Sequence, residues 1–359
     1  MKVHLISGFL GSGKTTAIAS ASKYLLAQGK KIGVVTNDQG KFLIDTKFLR
    51  LEDIPTVEVA GGCFCCNFNE FEENLDLLIK TVKPDVIFAE SVGSCADVVA
   101  TVMKPLVEYK LAHETDTSFS VFIDVRMLEK YLLDEELPFQ DGVIYIFEKQ
   151  IDESSFLVLN KSDLFTQERL LNLVKMAQER YPQKLIISQS SLIQDQVVSW
   201  LEIINTHNTF PKHQLDIDYQ TYGKAEQELS WYDAKINSTF LGDDFSNFVN
   251  LFINRLQFEF QKRNIAIGHL KFLIDDEHNH QKISIVNQSE LSKDVKWTRE
   301  KWISPVDFSI NARLECDADL LKSIIRSCLQ QENFHTLKLT WVEEKSFHPG
   351  FPKPTHRIT

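Results

Sequence analysis

The chain is expected to fold as an α/β protein: a parallel sheet with helices on both faces, followed by a smaller C-terminal α+β domain. Three observations predict it. Short apolar runs alternate with helical stretches through the first half, and a glycine-rich loop joins the first run to the first helix. Past a polar, turn-rich break, the pattern changes to alternating strands around one long helix. Strands separated by helices require right-handed crossovers, which place a parallel sheet between two helical layers.

The elements follow in order. Val3–Ser7 reads as a strand and Lys14–Gln28 as a helix. Lys31–Thr36, Thr56–Val59, Val86–Ala89, Ser120–Asp124 and Phe156–Leu159 are further strand-like runs, with helical stretches at Glu70–Lys80 and Gln167–Arg180. Residues 1–205 are expected to form this domain, and the polar stretch 206–229, with its Asn-Thr-Phe-Pro turn signals, a linker. Residues 230–345 are expected to form the second domain. In it a helix over Phe245–Arg263 is capped by Asp243 or Asp244, strands run over His269–Ile274, Lys282–Val286 and Val306–Leu314, and a helix covers Asp319–Leu329. The Pro-rich tail, 346–359, suits neither a helix nor a central strand.

A length of 359 residues suits two domains, each able to bury its own core. Phe outnumbers Met 25 to 4, which points to aromatic-rich cores. A net charge of −11 without a basic block argues against nucleic acid, and the lack of a polybasic segment argues against an anionic membrane surface. The apolar run after Met1 is too short for a signal peptide, and no stretch is long enough to span a bilayer. The expected compartment is the cytoplasm, where the six cysteines would be reduced and clustered ones suit metal binding or catalysis.

Gly8-Phe9-Leu10-Gly11-Ser12-Gly13-Lys14-Thr15 fits G-x-x-x-x-G-K-[ST], between a strand and a helix, the P-loop of a P-loop NTPase. Glycines let successive N–H groups curl inward around phosphate oxygens, and the helix N-terminus adds partial positive charge. Gly8, Gly11, Ser12, Gly13 and Thr16 would line the phosphates. Lys14 would bridge the β- and γ-phosphates, and the Thr15 hydroxyl would ligate Mg²⁺. Asn160-Lys161-Ser162-Asp163 places N-K-x-D at a strand end. The Asp163 carboxylate can accept from both N1–H and N2 of guanine, a donor pair that adenine lacks. Asn160 would fix the loop and Lys161 stack on the base. Alone the motif reads equally as an exposed turn; with the P-loop it points to GTP. Ser188 is a candidate in the next base-contacting loop.

Two carboxylates complete this site. Glu90 ends the Val86–Ala89 strand ahead of Gly93, where it would hold Mg²⁺ through water while the Gly93 N–H senses the γ-phosphate. Asp38, in Thr36-Asn37-Asp38-Gln39-Gly40, is a second Mg²⁺-side acid. The competing reading has both acids capping turns.

Gly61-Gly62-Cys63-Phe64-Cys65-Cys66 puts three thiols in four positions. Thiolates this close repel unless a cation or proton intervenes, and Zn²⁺, Co²⁺ or Cu⁺ would suit. Adjacent Cys65 and Cys66 cannot point the same way in a strand, so a loop or helix start is required. Three ligands leave the shell of a structural zinc incomplete, which suits transfer. Buried apolar cysteines or a redox pair are the alternatives. Cys95 would complete the shell if its loop folds back, or else is a small core residue. His113, His278 and His280 are weaker candidates, and Cys316 and Cys328 read as structural.

Together these residues resemble the CobW-like GTPases, relatives of HypB and UreG. The resemblance rests on G-F-L-G-S-G-K-T-T at Gly8–Thr16, G-G-C-x-C-C at Gly61–Cys66, E-S-x-G at Glu90–Gly93 and N-K-S-D-L at Asn160–Leu164, with Gln150-Ile151 before the last. It implies a GTP-hydrolysing metallochaperone that carries zinc or cobalt to a client metalloenzyme or a metal-cofactor assembly protein, with Lys14, Glu90 and Asp38 in catalysis. The other function it leaves open is a GTP-dependent activator or regulatory switch in which the thiolates are structural or sense metal. The chain departs from the family in three places. Lys41 stands where a second acid is common, Glu90–Asp97 carries one extra residue and no Pro, and no His-rich segment is present. An ammonium at Lys41 would favour thiolate at the neighbouring cysteines.

Overall fold

The structure, a computed structural model, describes residues 1–38, 40, 44–111, 117–211, 215–242, 245–286, 295, 297–298, 301–330 and 337–358. The chain divides into two compact units. The first comprises Met1–Gln39, Asp45–Gly223 and Phe351–Thr359; the second comprises Gly40–Ile44 and Lys224–Gly350.

The first unit is built on a seven-stranded sheet in the order β3-β2-β4-β1-β5-β6-β7. The strands are β1 (Lys2–Gly8), β2 (Ile32–Asp38), β3 (Thr56–Ala60), β4 (Val86–Glu90), β5 (Thr117–Asp124), β6 (Phe156–Asn160) and β7 (Leu185–Gln189). Every pairing is parallel, so all seven C-terminal ends share one edge. The strands read as apolar runs because both faces are covered. Helices α1 (Lys14–Ala27), α2 (Ile44–Leu51), α3 (Phe68–Thr81), α4 (Lys104–Tyr109), α5 (Val125–Leu132), α6 (Asp141–Glu153), α7 (Gln167–Arg180) and α8 (Gln194–Thr206) connect them, with a single π-turn at Val99–Met103. Ile6, Ile18, Val34, Phe88, Phe122 and Val158 form the core around Trp200, whose indole N–H donates to Ser120 Oγ at 3.1 Å. Strand order reverses beside β1, between β4 and β5, where open α/β sheets form their ligand crevice.

The stretch expected to be a linker is partly helical. The α8 helix runs to Thr206, and Tyr219–Gln227 forms α9. Its lack of a clear apolar period hid this second helix: its buried residues include Tyr222, Ala225 and Glu226, a mixed set. The tail after Gly350 is extended and hydrogen-bonds within the first unit.

The second unit is a five-stranded antiparallel sheet, order β10-β9-β11-β8-β12. Its strands are β8 (Ser230–Thr239), β9 (Ala266–Asp275), β10 (His280–Ile285), β11 (Val306–Glu315) and β12 (Lys338–Phe347), joined by α10 (Phe245–Lys262) and α11 (Ala318–Leu329). Asp317 caps α11 through Asp319 N and Leu320 N, both at 2.9 Å. Its core is rich in Phe: Phe245 and Phe252 on α10 meet Phe308 of the sheet, Phe252 also meets Phe272, and Phe248 stacks on Phe252. Cys328 is buried in this core, and Cys316 lies beside it within 3.4 Å of Ser230 Oγ. A fully buried Arg313–Asp233 pair, 3.1 Å apart, sits under the Trp231 ring. The expected caps Asp243 and Asp244 lie outside the described residues. Among the described residues, no helix is long and apolar enough to cross a membrane.

Candidate nucleotide and thiolate site

The loop after β1 is shaped by positions where only glycine fits. Gly8 has φ 131°, and a Cβ there would stand 2.1 Å from the Phe122 carbonyl oxygen of β5. Gly13 has φ 93°, and its Cβ would meet Asn160 Nδ2 at 2.3 Å. The P-loop and the N-K-x-D loop are therefore in contact. Asn160 Nδ2 donates to Ser12 O at 2.7 Å, and Asn160 Oδ1 accepts from Ser191 N and Oγ at 3.1 and 2.9 Å. Asn160 ties three loops together at the end of β6. The Lys14 ammonium donates to Gly8 O at 2.6 Å and Phe9 O at 3.3 Å, inside the loop it would serve.

Beyond Asn160 the chain turns through Lys161 at φ 66° into a 3₁₀ turn, Ser162–Leu164, which presents Asp163 to solvent. The Lys161 ammonium lies 3.0 Å from Asp124. Burial works to raise the Asp124 carboxyl, but bonds and charge from Arg126 and Lys161 outweigh it and hold the group at about 2. Ser188, expected in a loop, lies inside β7 opposite Leu159. The short apolar run gave no strand end, and the loop residue that reaches Asn160 is Ser191.

Thr15 and Glu90 come together: Thr15 Oγ1 donates to Glu90 Oε1 at 2.9 Å. A hydroxyl and a carboxylate converging below a phosphate loop are the hard oxygen donors that Mg²⁺ takes, and both residues fit that ion. Gly93 packs on the P-loop, where a Cβ would stand 2.7 Å from Leu10 Cδ2 and 3.0 Å from Leu10 Cα. Gln150 of α6 fixes this segment, donating to Gly93 O at 3.0 Å and Cys95 O at 2.9 Å. Asp38 ends β2, two strands from β1, opposite Ala60 of β3.

From Ala60 the chain enters the thiolate turn. Cys66 N and Asn67 N both donate to Cys63 O at 3.0 Å, and α3 begins at Phe68. This turn places the Cys63 sulfur 2.8 Å from Cys65 and 3.1 Å from Cys66, with Cys65 and Cys66 3.8 Å apart. All three lie within 4.8 Å of one another. Thiols of Cys65, Cys66 and Cys95 hydrogen-bond to Cys63 and draw it well below the ordinary thiol range. The same contacts push Cys65 well up, and contact with Cys63 pushes Cys66 to about 11. One sulfur is thus set to ionise first, stabilised by its protonated neighbours.

Asn37, which the sequence did not single out, holds this turn. Its Nδ2 donates to Val59 O at 3.0 Å and Gly62 O at 2.6 Å, and its Oδ1 accepts from Phe64 N at 2.8 Å. The only sequence signal was its position beside Asp38. The tail was also missed as part of the site. Lys353 N donates to Cys66 Sγ at 3.3 Å, and Thr355 bonds the carbonyls of Cys65 and Cys66 at 2.7 and 3.0 Å. Arg357 and Tyr219 both meet the buried Asp97 carboxylate at 2.7 Å. Lys41 and His113 lie outside the described residues. His278 and His280 lie in the second unit, and the cysteine trio is the one cluster of three or more metal-ligating groups among the described residues.

A family model described as CobW/HypB/UreG, nucleotide-binding domain, matches residues 2–188. The chain belongs to the CobW/HypB/UreG family. Among its relatives, Zinc-regulated GTPase metalloprotein activator 1 of Dictyostelium discoideum is 27% identical over 57% of this chain and 48% of its own length. Zinc chaperone YeiR of Escherichia coli is 31% identical over 46% of this chain and 48% of its own. The chain spans about half the length of these curated relatives. A solved structure of HypB from Helicobacter pylori in complex with nickel covers 60% of this chain and 92% of that one, at 19% identity and a TM-score of 0.42. In this CobW/HypB/UreG chain the family's nucleotide-binding domain takes in the P-loop, the thiolate turn, Glu90–Gly93 and the N-K-S-D loop.

One buried acid beside this site sets a pH dependence. Burial lifts the Glu153 carboxyl from about 4.5 to about 8; the Val99 N–H it accepts from opposes the lift, and the Asp97 charge adds to it. A folded pKa above the unfolded one means the folded chain binds more protons, so stability falls as pH rises from about 4.5 to about 8. Glu153→Gln keeps an acceptor for Val99 and removes that slope. Melting curves should show the variant raised at pH 8 by roughly 2–4 °C or more, with little difference at pH 5. A variant that melts below the wild type at pH 8 would contradict a neutral Glu153.

Proposed function

We propose that the chain hydrolyses GTP and uses the cycle to hold and release a transition metal, with zinc or cobalt as cargo, for a client metalloprotein. One observation carries the reading. The thiolate turn, Asp38, the Thr15–Glu90 pair and the P-loop all lie at the C-terminal ends of adjacent strands β3, β2, β4 and β1. Asn37 joins the first of these to the second. The names of the relatives, zinc chaperones and a GTPase metalloprotein activator, support the same cargo and nucleotide.

In this reading the P-loop amides and Lys14 bind the phosphates, and Asp163 selects guanine. Thr15 and Glu90 would hold Mg²⁺, which supplies charge neutralisation on the phosphates when bound. Asp38 stands by as the second carboxylate on that side. Gly93 N–H would sense the γ-phosphate, and Cys63, Cys65 and Cys66 would hold the cargo. Six free cysteines suit a reducing cytoplasm. A GTP-dependent activator that reshapes its client with the thiolates kept as structure is the second reading, favoured by the tail's bonds to Cys65 and Cys66. The two separate in one experiment. Zinc-loaded protein is given GTP beside a chromogenic chelator. Release that depends on hydrolysis supports delivery; zinc retained through many turnovers overturns it.

Guanine selection gives a narrower prediction. Asp163→Asn replaces one acceptor by a donor facing guanine N1–H or N2. An unpaired donor costs about 1–3 kcal/mol, so GTP affinity should fall about 5- to 150-fold while xanthosine triphosphate gains. Competition binding with GTP, ATP and xanthosine triphosphate reads this directly. A wild type that binds ATP and GTP equally would sink the assignment.

A further inference from the structure

The tail lies across the thiolate turn and is fastened on either side of it. At its start Phe351 packs against Gly223 of α9, where a Cβ would stand 2.3 Å from Phe351 Cδ1. Over the turn, Lys353 N donates to Cys66 Sγ at 3.3 Å, Thr355 N to Cys65 O at 2.7 Å and Thr355 Oγ1 to Cys66 O at 3.0 Å. The His356 ring then meets those of Phe68, where α3 begins, and Tyr109 of α4, each at 5.2 Å between centroids. At the far end Arg357 Nε donates to Asp97 Oδ2 at 2.7 Å, and Ile358 N to Ala100 O at 2.8 Å. These fastenings differ in kind. Lys353 and Thr355 are exposed, so the stretch over the sulfurs is held by hydrogen bonds with little burial, the mark of a segment that opens locally. Asp97 is fully buried, and without Arg357 its carboxylate keeps only the Tyr219 hydroxyl. Stripping the cation from a buried carboxylate is costly, which makes Arg357 the latch.

We propose that the tail from Phe351 to Ile358 is a strap that closes the thiolate turn and sets the rate at which metal enters and leaves it. The inference rests on the metal-binding reading above. Cys63 and Cys65 are buried, whereas Cys66 is half-buried. The Cys66 sulfur is therefore the one of the three that an incoming ligand reaches first, and it is the sulfur the strap touches. Metal passes to an acceptor by stepwise exchange, each metal–sulfur bond giving way to a bond from a donor atom of the acceptor. That donor must reach the ion, and the closed strap stands in its way. Lifting the stretch from Lys353 to Thr355 opens the path at Cys66 while the core of the unit stays as it is. A strap that closes over the empty and the loaded turn alike changes rates and leaves affinity nearly the same, since equilibrium shifts only by differential binding. The latch sits on Asp97, four residues beyond Gly93, so one segment of chain ties the thiolate turn to the stretch that follows β4.

The test uses full-length protein and two variants. Arg357→Ala removes the latch; Thr355→Pro, at an exposed position, removes both bonds that residue 355 makes to the turn. Zinc-loaded wild type is mixed with excess chromogenic chelator. Its release rate should level off as chelator is raised, because opening of the strap limits it. Each variant should release zinc about 10-fold faster or more, the opening gained by losing a charged or two neutral hydrogen bonds. Variants that release zinc at the wild-type rate overturn the proposal. Thr355→Pro that no longer takes up zinc also overturns it, since the tail would then build the site and not gate it. In metal-free protein, alkylation of Cys66 by iodoacetamide, followed by mass spectrometry, should quicken by a similar factor in both variants; unchanged alkylation overturns the cover over Cys66. Should Arg357→Ala not fold, Thr355→Pro decides alone. A wild type that takes up no zinc fails the metal-binding reading itself, whereas alkylation and release rates that ignore the tail fail only the strap.

Discussion

Lys14→Ala is expected to lower GTP turnover by about 10²–10³-fold or more, with the fold intact. The argument is electrostatic. In phosphoryl transfer the protein contributes little covalent chemistry, so positioning and charge stabilisation carry the rate. Lys14 is the cation inside the loop, and its ammonium is held on Gly8 O and Phe9 O with the side chain nearly buried. Swinging from those carbonyls to the β- and γ-phosphates needs no backbone change. Alanine keeps the helix start, since the backbone of α1 is set by Gly13 and its Cβ-free approach to Asn160. The melting temperature without nucleotide should therefore stay within about 3 °C of wild type. Thr15→Ala should instead weaken the Mg²⁺ dependence, because it removes the hydroxyl that meets Glu90. Single-turnover hydrolysis with both variants tests this pair; undiminished turnover in Lys14→Ala would contradict the P-loop assignment.

The parts of this site that could be read in the sequence are those whose chemistry is local. Gly8–Thr15 and Asn160–Asp163 are contiguous, and each carries its mechanism in a few residues at a strand end. The thiolate turn is likewise contiguous, and the clash between Cys65 and Cys66 in a strand already required the turn that Cys63 O closes. The parts that could not be read are bonds between distant segments. Nothing near Asn37 tells that its amide reaches Gly62 and Phe64, and nothing near Gln150 tells that it holds Gly93 and Cys95. The tail shows the same limit. Its prolines exclude helix, but only the folded chain brings Thr355 to Cys65 and Cys66. In the second unit, β12 was hidden because Glu343, Glu344 and Lys345 break the alternation; Glu344 answers Arg326 and Tyr232, a pairing that needs the fold. The short helices α2, α5 and α9 lacked a long apolar period for the same reason: few of their residues face a core.

The Cys65→Ser, Cys66→Ser double variant is expected to lose tight Zn²⁺ or Co²⁺ binding while still binding GTP. Two of the three sulfurs in the trio go, and serine hydroxyls do not ionise near neutral pH to replace them as soft ligands. The fold should survive. Both sites bond to the tail mainly through backbone, since the Cys65 and Cys66 carbonyls accept from Thr355 and these bonds remain. The hydroxyl that replaces the Cys66 thiol can also accept from Lys353 N, as the sulfur does. Phe64 and Phe68 keep their packing on Phe71, which anchors the turn to α3. The GTP side should be unaffected, since Lys14 bonds Gly8 O and Phe9 O and Thr15 bonds Glu90, away from the thiolate turn. In the wild type, protons compete with metal for the sulfurs: Cys65 and Cys66 hold theirs above the ordinary thiol range, Cys66 to about 11. Metal affinity should therefore climb with pH across the neutral range as each bound ion displaces protons. In the double variant this climb should flatten along with the affinity. Competition against a zinc chelator at pH 6.5 and 8 measures both. A double variant that matches wild type in affinity and pH slope would make the thiolate turn structural and remove the main support for metal delivery.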